Sequence, residues 1–330
     1  MKKPLWLSAI LLYSALVCAV QPAAAQGAPG GYPAKPIRLV IPFAPGGPTD
    51  LFARLFAERL TAVAGQQVVV ENRAGAAGNI AYASVAKSPA DGYTLLLGTT
   101  GLATNPLIYK SLAYDAAKDF QPVALLAMAP LVLLVPAQGS SDTVASLVAQ
   151  LKANPGKLSY PSGGSGTSTH LAAEMFKLKA GVDAIHVPYR GSGPAFLDTL
   201  AGRHAFMFDT IGASRPHVAA GKLNVVAVAG AKRAPAAPGV PTFAELGIEG
   251  VQAFTWNMLL VPAATPRAVV ESLNRLANAA VSNTALANRT AELAIDLVTD
   301  STPESAAAFL AGETRRWTDV VKASGIKVDE

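Results

Sequence analysis

The stretch Ile37-Arg38-Leu39-Val40-Ile41-Pro42-Phe43-Ala44-Pro45-Gly46-Gly47-Pro48-Thr49-Asp50 constrains this chain more than any other. Residues 37–42 are mostly branched and apolar, the pattern of a buried strand. Ala44-Pro45-Gly46-Gly47 is a turn, and Pro48 stands where a first helical residue loses nothing by lacking an N–H. Phe52, Leu55, Phe56 and Leu60 then fall on one helical face, with Asp50, Arg54, Glu58 and Thr61 elsewhere. Strand, glycine turn and helix in this order aim free backbone N–H groups at one point, a natural anion site. No P-loop lysine or serine follows and no GxGxxG is present, so a carboxylate suits the site better than a nucleotide. Taken alone, the turn needs no ligand, because a βα connection calls for glycine anyway.

Residues 1–25 have the layout of an export signal: Lys2 and Lys3, an apolar run from Leu5 to Val20, then Ala23-Ala24-Ala25 as a cleavage site. The run is shorter than the roughly 20 residues of a spanning helix, and Pro22 closes it. Val17 before Cys18 does not suit lipoprotein processing. Cleavage near Ala25 leaves an exported chain of residues 26–330 with formal charge lowered from +5 to +3. Cys18 is the single cysteine and leaves with the signal, so no disulfide, thiol nucleophile or thiolate metal site is expected. The charge gives no nucleic-acid footprint; Lys232-Arg233 and Arg315-Arg316 are the only basic doublets after the signal. With 51% hydrophobic residues the core is ample.

Beyond the opening unit, strands are expected at 66–71 and 94–97 and a helix at 79–87, a βαβαβ series with near-continuous apolar strands. Two apolar runs, 123–128 and 131–135, are separated by Pro130. A second α/β series follows: helix 143–154, strand 158–160, a Gly/Ser/Thr loop, a helix with Leu171, Met175 and Leu178 on one face, strand 184–187, helix 193–201, and strands 205–208 and 223–229. Strand 255–261 brings the chain back, and helices starting at Pro266 and at Thr302-Pro303 end it. No G-x-S-x-G occurs, and His170, His186, His204 and His217 lack HxH or HExxH spacing, which argues against a serine hydrolase or a zinc enzyme.

An ordered set of motifs runs through the chain. Tyr32-Pro33 and Pro42-Phe43-Ala44-Pro45-Gly46-Gly47 open it, followed by Glu71-Asn72-Arg73-Ala74-Gly75 and Asp91-Gly92-Tyr93-Thr94-Leu95-Leu96. His186-Val187-Pro188-Tyr189-Arg190-Gly191, Pro241-Thr242 and Trp256 continue it. In this order the chain resembles the solute-binding proteins of tripartite tricarboxylate transporters, the Bug family. The resemblance implies an α/β, type II periplasmic-binding-protein fold: two α/β domains with a cleft between them. Domain 1 would comprise 26–127 and 255–330, and domain 2 would comprise 128–254. It implies a periplasmic protein that takes a small carboxylated solute, an organic acid or acidic amino acid, with no cofactor, no metal and no catalysis; a monomer is expected. Its partners would be the integral membrane subunits of a transporter, or a sensor kinase. Met258 stands where the family's Trp-x-Gly has glycine, so the shape of the hinge is open at that point.

The candidate ligand-binding residues follow from both readings. Ala44, Pro45, Gly46, Gly47 and Thr49 offer the first loop, with Asp50 either bracing the helix start or meeting a ligand ammonium. Thr99, Thr100 and Asn105 follow a strand end and offer hydroxyl or amide groups. Ser162, Gly163, Gly164, Ser165, Gly166 and Thr167 form the second glycine loop, and His170 stands just inside the helix after it. Tyr189 and Arg190 follow a strand end, where the guanidinium suits an acid or the opposite lobe. Asp209 ends another strand and either fixes its loop or touches ligand.

Overall fold

The computed structural model describes residues 31–324, with side chains through 322. The export signal at 1–25 therefore lies outside the described residues. In chain order the elements are β1 (Ile37–Ile41), α1 (Pro48–Ala64), β2 (Val68–Asn72), a 3-10 turn (Ala76–Gly78), α2 (Asn79–Ala86), β3 (Thr94–Gly98), α3 (Thr100–Ile108) and β4 (Phe120–Pro136). Then come α4 (Val144–Ala153), β5 (Ser159–Ser162), α5 (Ser168–Ala180), β6 (Ile185–Pro188), α6 (Ser192–Leu200), β7 (Met207–Thr210), α7 (Ile211–Ala219) and β8 (Leu223–Val228). The chain closes with β9 (Phe254–Pro262), α8 (Arg267–Val281), α9 (Thr284–Ala291), β10 (Asp296–Leu297) and α10 (Pro303–Ser324).

In the first lobe β1 lies between β2 and β3, parallel to both. Both faces are covered, which explains the near-continuous apolar strands. Ile37, Leu39, Ile41, Leu95 and Leu97 face a core with Phe52, Phe56 and Leu60 of α1 and Val270 and Leu273 of α8. Val40 and Leu96 face the opposite core, with Tyr82, Leu102, Trp256 and Met258. Met258 is thus a buried core residue, and the departure from the family glycine fills the first lobe's interior.

Pro130 does not divide two strands as the sequence suggested. β4 is one strand of 17 residues running through it. As far as Pro130, β4 pairs with β9; from Leu131 it pairs with β7 and β8. The proline's missing N–H falls where the ladder changes partner, so no ladder bond is lost. β4 and β9 are consequently the two strands that connect the lobes.

In the second lobe β5 and β6 are parallel neighbours, and β7 and β8 pair with the far half of β4. One face packs Leu131, Leu133, Phe176, Phe206, Phe208 and Phe243; the other packs Val132, Leu134, Phe196 and Met207. Leu178 departs from expectation: it is 55% exposed. The buried face of α5 is Leu171, Ala172, Met175 and Phe176, and the last turn reaches past the core. Among the described residues no helix is long and apolar enough to cross a membrane.

Candidate functional site

The first loop is held by Asp50. Its Oδ2 accepts from the Gly46 N–H (3.2 Å) and Arg54 Nε (3.0 Å), and its Oδ1 accepts from Arg54 Nη2 (2.8 Å) and Asn72 Nδ2 (3.0 Å). Partial burial opposes the charged form, but these hydrogen bonds outweigh it and hold the carboxyl below its ordinary pKa. Both oxygens are thus engaged in bracing the loop. Asn72 Nδ2 also donates to the Phe43 carbonyl (2.9 Å), a support the sequence reading missed. Gly46 sits at φ 91°, a conformation that side chains with a Cβ disfavour. Gly47 is the N-cap of α1 and Pro48 its first residue, with no side chain capping the helix.

The second loop is tied up largely with itself. Gly163 N–H donates to Thr169 Oγ1 (3.0 Å), Gly164 N–H to Ser162 Oγ (3.1 Å) and Gly166 N–H to His170 Nδ1 (3.0 Å). The free donors are therefore not the glycine amides expected from sequence. They belong to the first turn of α5, whose N-cap Thr167 makes no capping bond. His170 closes this loop and stacks on His186 with ring centroids 3.8 Å apart. Burial pushes both imidazoles down to about 3, so both are neutral at pH 7.

A third helix start joins them. Gly191, at φ 121°, caps α6 without a side-chain bond, and Ser192 is its first residue. Here the lobes touch. Ala44 N–H donates to the Arg190 carbonyl (3.0 Å), and Thr104 Oγ1 donates to the Gly166 carbonyl (2.6 Å). A Cβ on Gly193 would stand 2.5 Å from the Pro45 carbonyl oxygen. The cleft is closed, and the space left is about 30 Å³. Its walls are Phe43, Gly47, Pro48 and Thr49 of the first lobe, Leu131 and Thr255 of the connecting strands, and Gly163, Thr167, Ser168, Thr169, Gly191 and Ser192 of the second. None of these side chains is charged. Three uncapped helix N-termini, those of α1, α5 and α6, meet there, each favouring an anion by roughly 0.3–1 kcal/mol.

Of the predicted residues, the cavity gathers Gly47, Thr49, Gly163 and Thr167. Ala44, Pro45 and Gly46 form the contact between lobes. Ser162, Gly164, Ser165 and Gly166 shape the second loop without lining the cavity, and Ser162 Oγ bonds His186 Nε2 (2.6 Å). Thr99 Oγ1 bonds Tyr82 (3.2 Å), Asn105 Nδ2 donates to Asn79 Oδ1 (2.6 Å), and Thr100 Oγ1 is buried without a partner. These three lie outside the cavity walls. Tyr189 bonds Asp198 and His204 through its hydroxyl. The Arg190 side chain is exposed, and its carbonyl rather than its guanidinium reaches the other lobe. Asp209 is fully buried beside Ser192, outside the walls. Sequence reasoning missed Gly191 and Ser192, although Gly191-Ser192-Gly193-Pro194 repeats the glycine-then-proline signal of the opening turn. Leu131 and Thr255 carry no local signal. A larger recess of about 580 Å³ lies beside the first residues of β5 and β8, with Lys157, Arg203, His204 and Lys222. No free helix start enters it, so the smaller interlobe cavity is the better candidate.

Two α/β lobes joined by two strands, with helix N-termini aimed into the cleft, define a periplasmic-binding-protein fold. The family described as "Tripartite tricarboxylate transporter family receptor" matches residues 52–326. The chain is 38% identical to the protein BugT of Bordetella pertussis over 299 residues, 90% of this chain and 91% of that one. The structure of the periplasmic binding protein BugD is similar with a TM-score of 0.86 and 32% identity, covering 90% of this chain and 99% of that one. Rpa4515 of R. palustris, solved with adipate, gives a TM-score of 0.87 and 37% identity, covering 90% and 99%. The chain therefore belongs to the tripartite tricarboxylate transporter receptor family, in its Bug branch, whose members are solute-binding proteins and not enzymes.

Proposed function

We propose that this protein captures a small carboxylated solute in the periplasm and delivers it to the membrane subunits of a tripartite transporter. The observation that carries the reading is the meeting of three uncapped helix N-termini on a cavity without a charged side chain. Backbone N–H groups and the hydroxyls of Thr49, Ser168, Thr169 and Ser192 hold the carboxylate, while the Thr167 hydroxyl donates to the Gly164 carbonyl (2.7 Å); no arginine or lysine is needed at the walls. The adipate found in the related Rpa4515 supports this class of ligand. Residues 26–127 and 255–330 form one domain and 128–254 the other, with export through a signal cleaved near Ala25. With the lobes as they stand the cleft is closed, so a dicarboxylate reaches the cavity only after the lobes part, and they close again over it. Rotation about β4 and β9 opens the cleft, and closure presents one shape to the membrane partner.

Thermal unfolding of the processed chain against a panel of organic acids and acidic amino acids tests this. A bound carboxylate raises the melting temperature, and the shift keeps growing with the logarithm of its concentration above the Kd. A shift from neutral sugars alone, with none from any carboxylate, refutes it.

A further inference from the structure

Asp209 is a buried carboxylic acid without a cation. It is 0% exposed at the end of β7. Its Oδ1 accepts from the Thr210 N–H (2.7 Å), and its Oδ2 has no hydrogen-bond partner. The Ser192 side chain lies beside it, close enough to favour the charged form though short of full hydrogen-bond geometry. Ser192 also lines the cleft cavity. The register Val132↔Asp209 places the carboxyl on the face of the sheet that α6 and α7 cover.

No titratable partner faces it from these elements. β4 carries none, and Tyr160 of β5 packs in the opposite core and is bonded to Glu174. On α6, Asp198 is bonded to Tyr189 and Arg203. On α7, Arg215 is bonded to Glu292 and His217 packs on Phe196. On the opposite face α5 brings His170, which is bonded to Gly166. Arg190, before α6, is exposed. Burial pushes the Asp209 carboxyl up to about 6, against the smaller pull of Ser192 and Thr210.

We propose that Asp209 is a proton-linked positioning residue: a carboxylate enters the cleft together with one proton from solvent, which ends on Asp209 Oδ2, and the Ser192 hydroxyl relays the hydrogen bond between them. With Asp209 ionised, the Ser192 O–H donates toward Oδ2 and turns lone pairs to the cleft, which repel a carboxylate. With Oδ2 protonated, Oδ2–H donates to Ser192 Oγ and the hydroxyl hydrogen is free for the ligand oxygen. The proton also removes the repulsion of two anions at one helix start. The inference rests on the carboxylate reading above.

Calorimetric titration of the processed chain with adipate, malate, succinate, citrate and glutamate, in phosphate and in Tris between pH 6.5 and 8, tests it. The expected result is an uptake approaching one proton per ligand, and a Kd that rises toward about tenfold per pH unit between the free-state titration near 6 and the higher bound-state one. Asp209→Asn, which donates permanently to Ser192, should bind with no uptake and a Kd flat with pH. Ser192→Ala should bind more weakly and with reduced uptake, and it decides the matter with the wild type if Asp209→Asn does not fold. Binding without proton uptake, or uptake unchanged in Asp209→Asn, overturns this inference alone. No binding of any panel member overturns both it and the carboxylate reading.

Discussion

Gly193→Ala separates closure of the cleft from stability of the lobes. Gly193 lies in the first turn of α6 with no positive φ, so alanine suits its backbone and helix propensity favours it by up to about 1 kcal/mol. The added Cβ, however, would stand 2.5 Å from the Pro45 carbonyl oxygen across the cleft, where ordinary contact begins at 3.4 Å. The lobes must part there by about 0.9 Å. That stretches the Ala44 N–H to Arg190 carbonyl bond, now 3.0 Å, beyond hydrogen-bond reach. A net loss of about 0.5–1.5 kcal/mol follows, or roughly 2- to 12-fold weaker binding of a carboxylate that requires closure. Calorimetry measures the affinity, small-angle scattering the closure, and denaturant unfolding the stability. Gly312→Ala is the control: its Cβ meets nothing nearer than Arg315 at 4.0 Å, so binding should not change. Wild-type affinity and wild-type compaction in Gly193→Ala, with ligand bound, would refute the closed contact.

Thr104→Val removes the second bridge, from Thr104 Oγ1 to the Gly166 carbonyl, at nearly constant volume. Ligand affinity should fall about 2- to 12-fold by the same reasoning, and an unchanged Kd would dismiss the bridge. Glu313 accepts from the indole N–H groups of both Trp256 and Trp317 at 3.0 Å and is 5% exposed. Glu313→Ala strands two buried donors and should lower stability by about 2–4 kcal/mol in urea unfolding; a loss below about 0.5 kcal/mol would contradict this account. Acid should destabilise the fold through His170 and His186. Their folded values near 3 lie below the unfolded 6.5, so the unfolded chain binds more protons between those pH values and stability drops as pH falls from 6.5. The slope approaches about 1.4 kcal/mol per pH unit for each histidine. Asp209 acts with the opposite sign, because its raised carboxyl gains stability as pH falls from about 6 toward 3.8. The loss should accordingly be steeper in Asp209→Asn, and a urea midpoint that holds steady from pH 7 to 5 in that variant would rule the histidine account out.

Helices announced by an apolar face and a proline start, α1, α8 and α10, were legible because both signals are local. α3 and α7 were not. Each carries a glycine near its start and an internal proline, Gly101 and Pro106 in one, Gly212 and Pro216 in the other, so intrinsic propensity argues against helix. Packing supplies what propensity lacks: Leu102 and Ala103 are buried against Tyr82 and Trp256, and Ile211 against Met207. The second glycine loop was found in sequence, but its amides were misjudged. Whether Gly163 or Gly166 is free depends on where the Thr169 hydroxyl and the His170 ring turn, and composition is silent on that.

The sequence by itself determined the α/β series and the two strand–glycine–helix turns, and it pointed to an anion site without thiolate or histidine metal motifs. Each of these rests on neighbours a few residues apart. Only the tertiary structure decided that β4 runs unbroken through Pro130 between the lobes, that Ser192 supplies a third helix start, and that Ala44 meets Arg190 across the cleft. Only it buried Asp209 without a cation. These features join residues far apart in the chain, and which far residues meet is set by the packing of whole layers rather than by any local pattern.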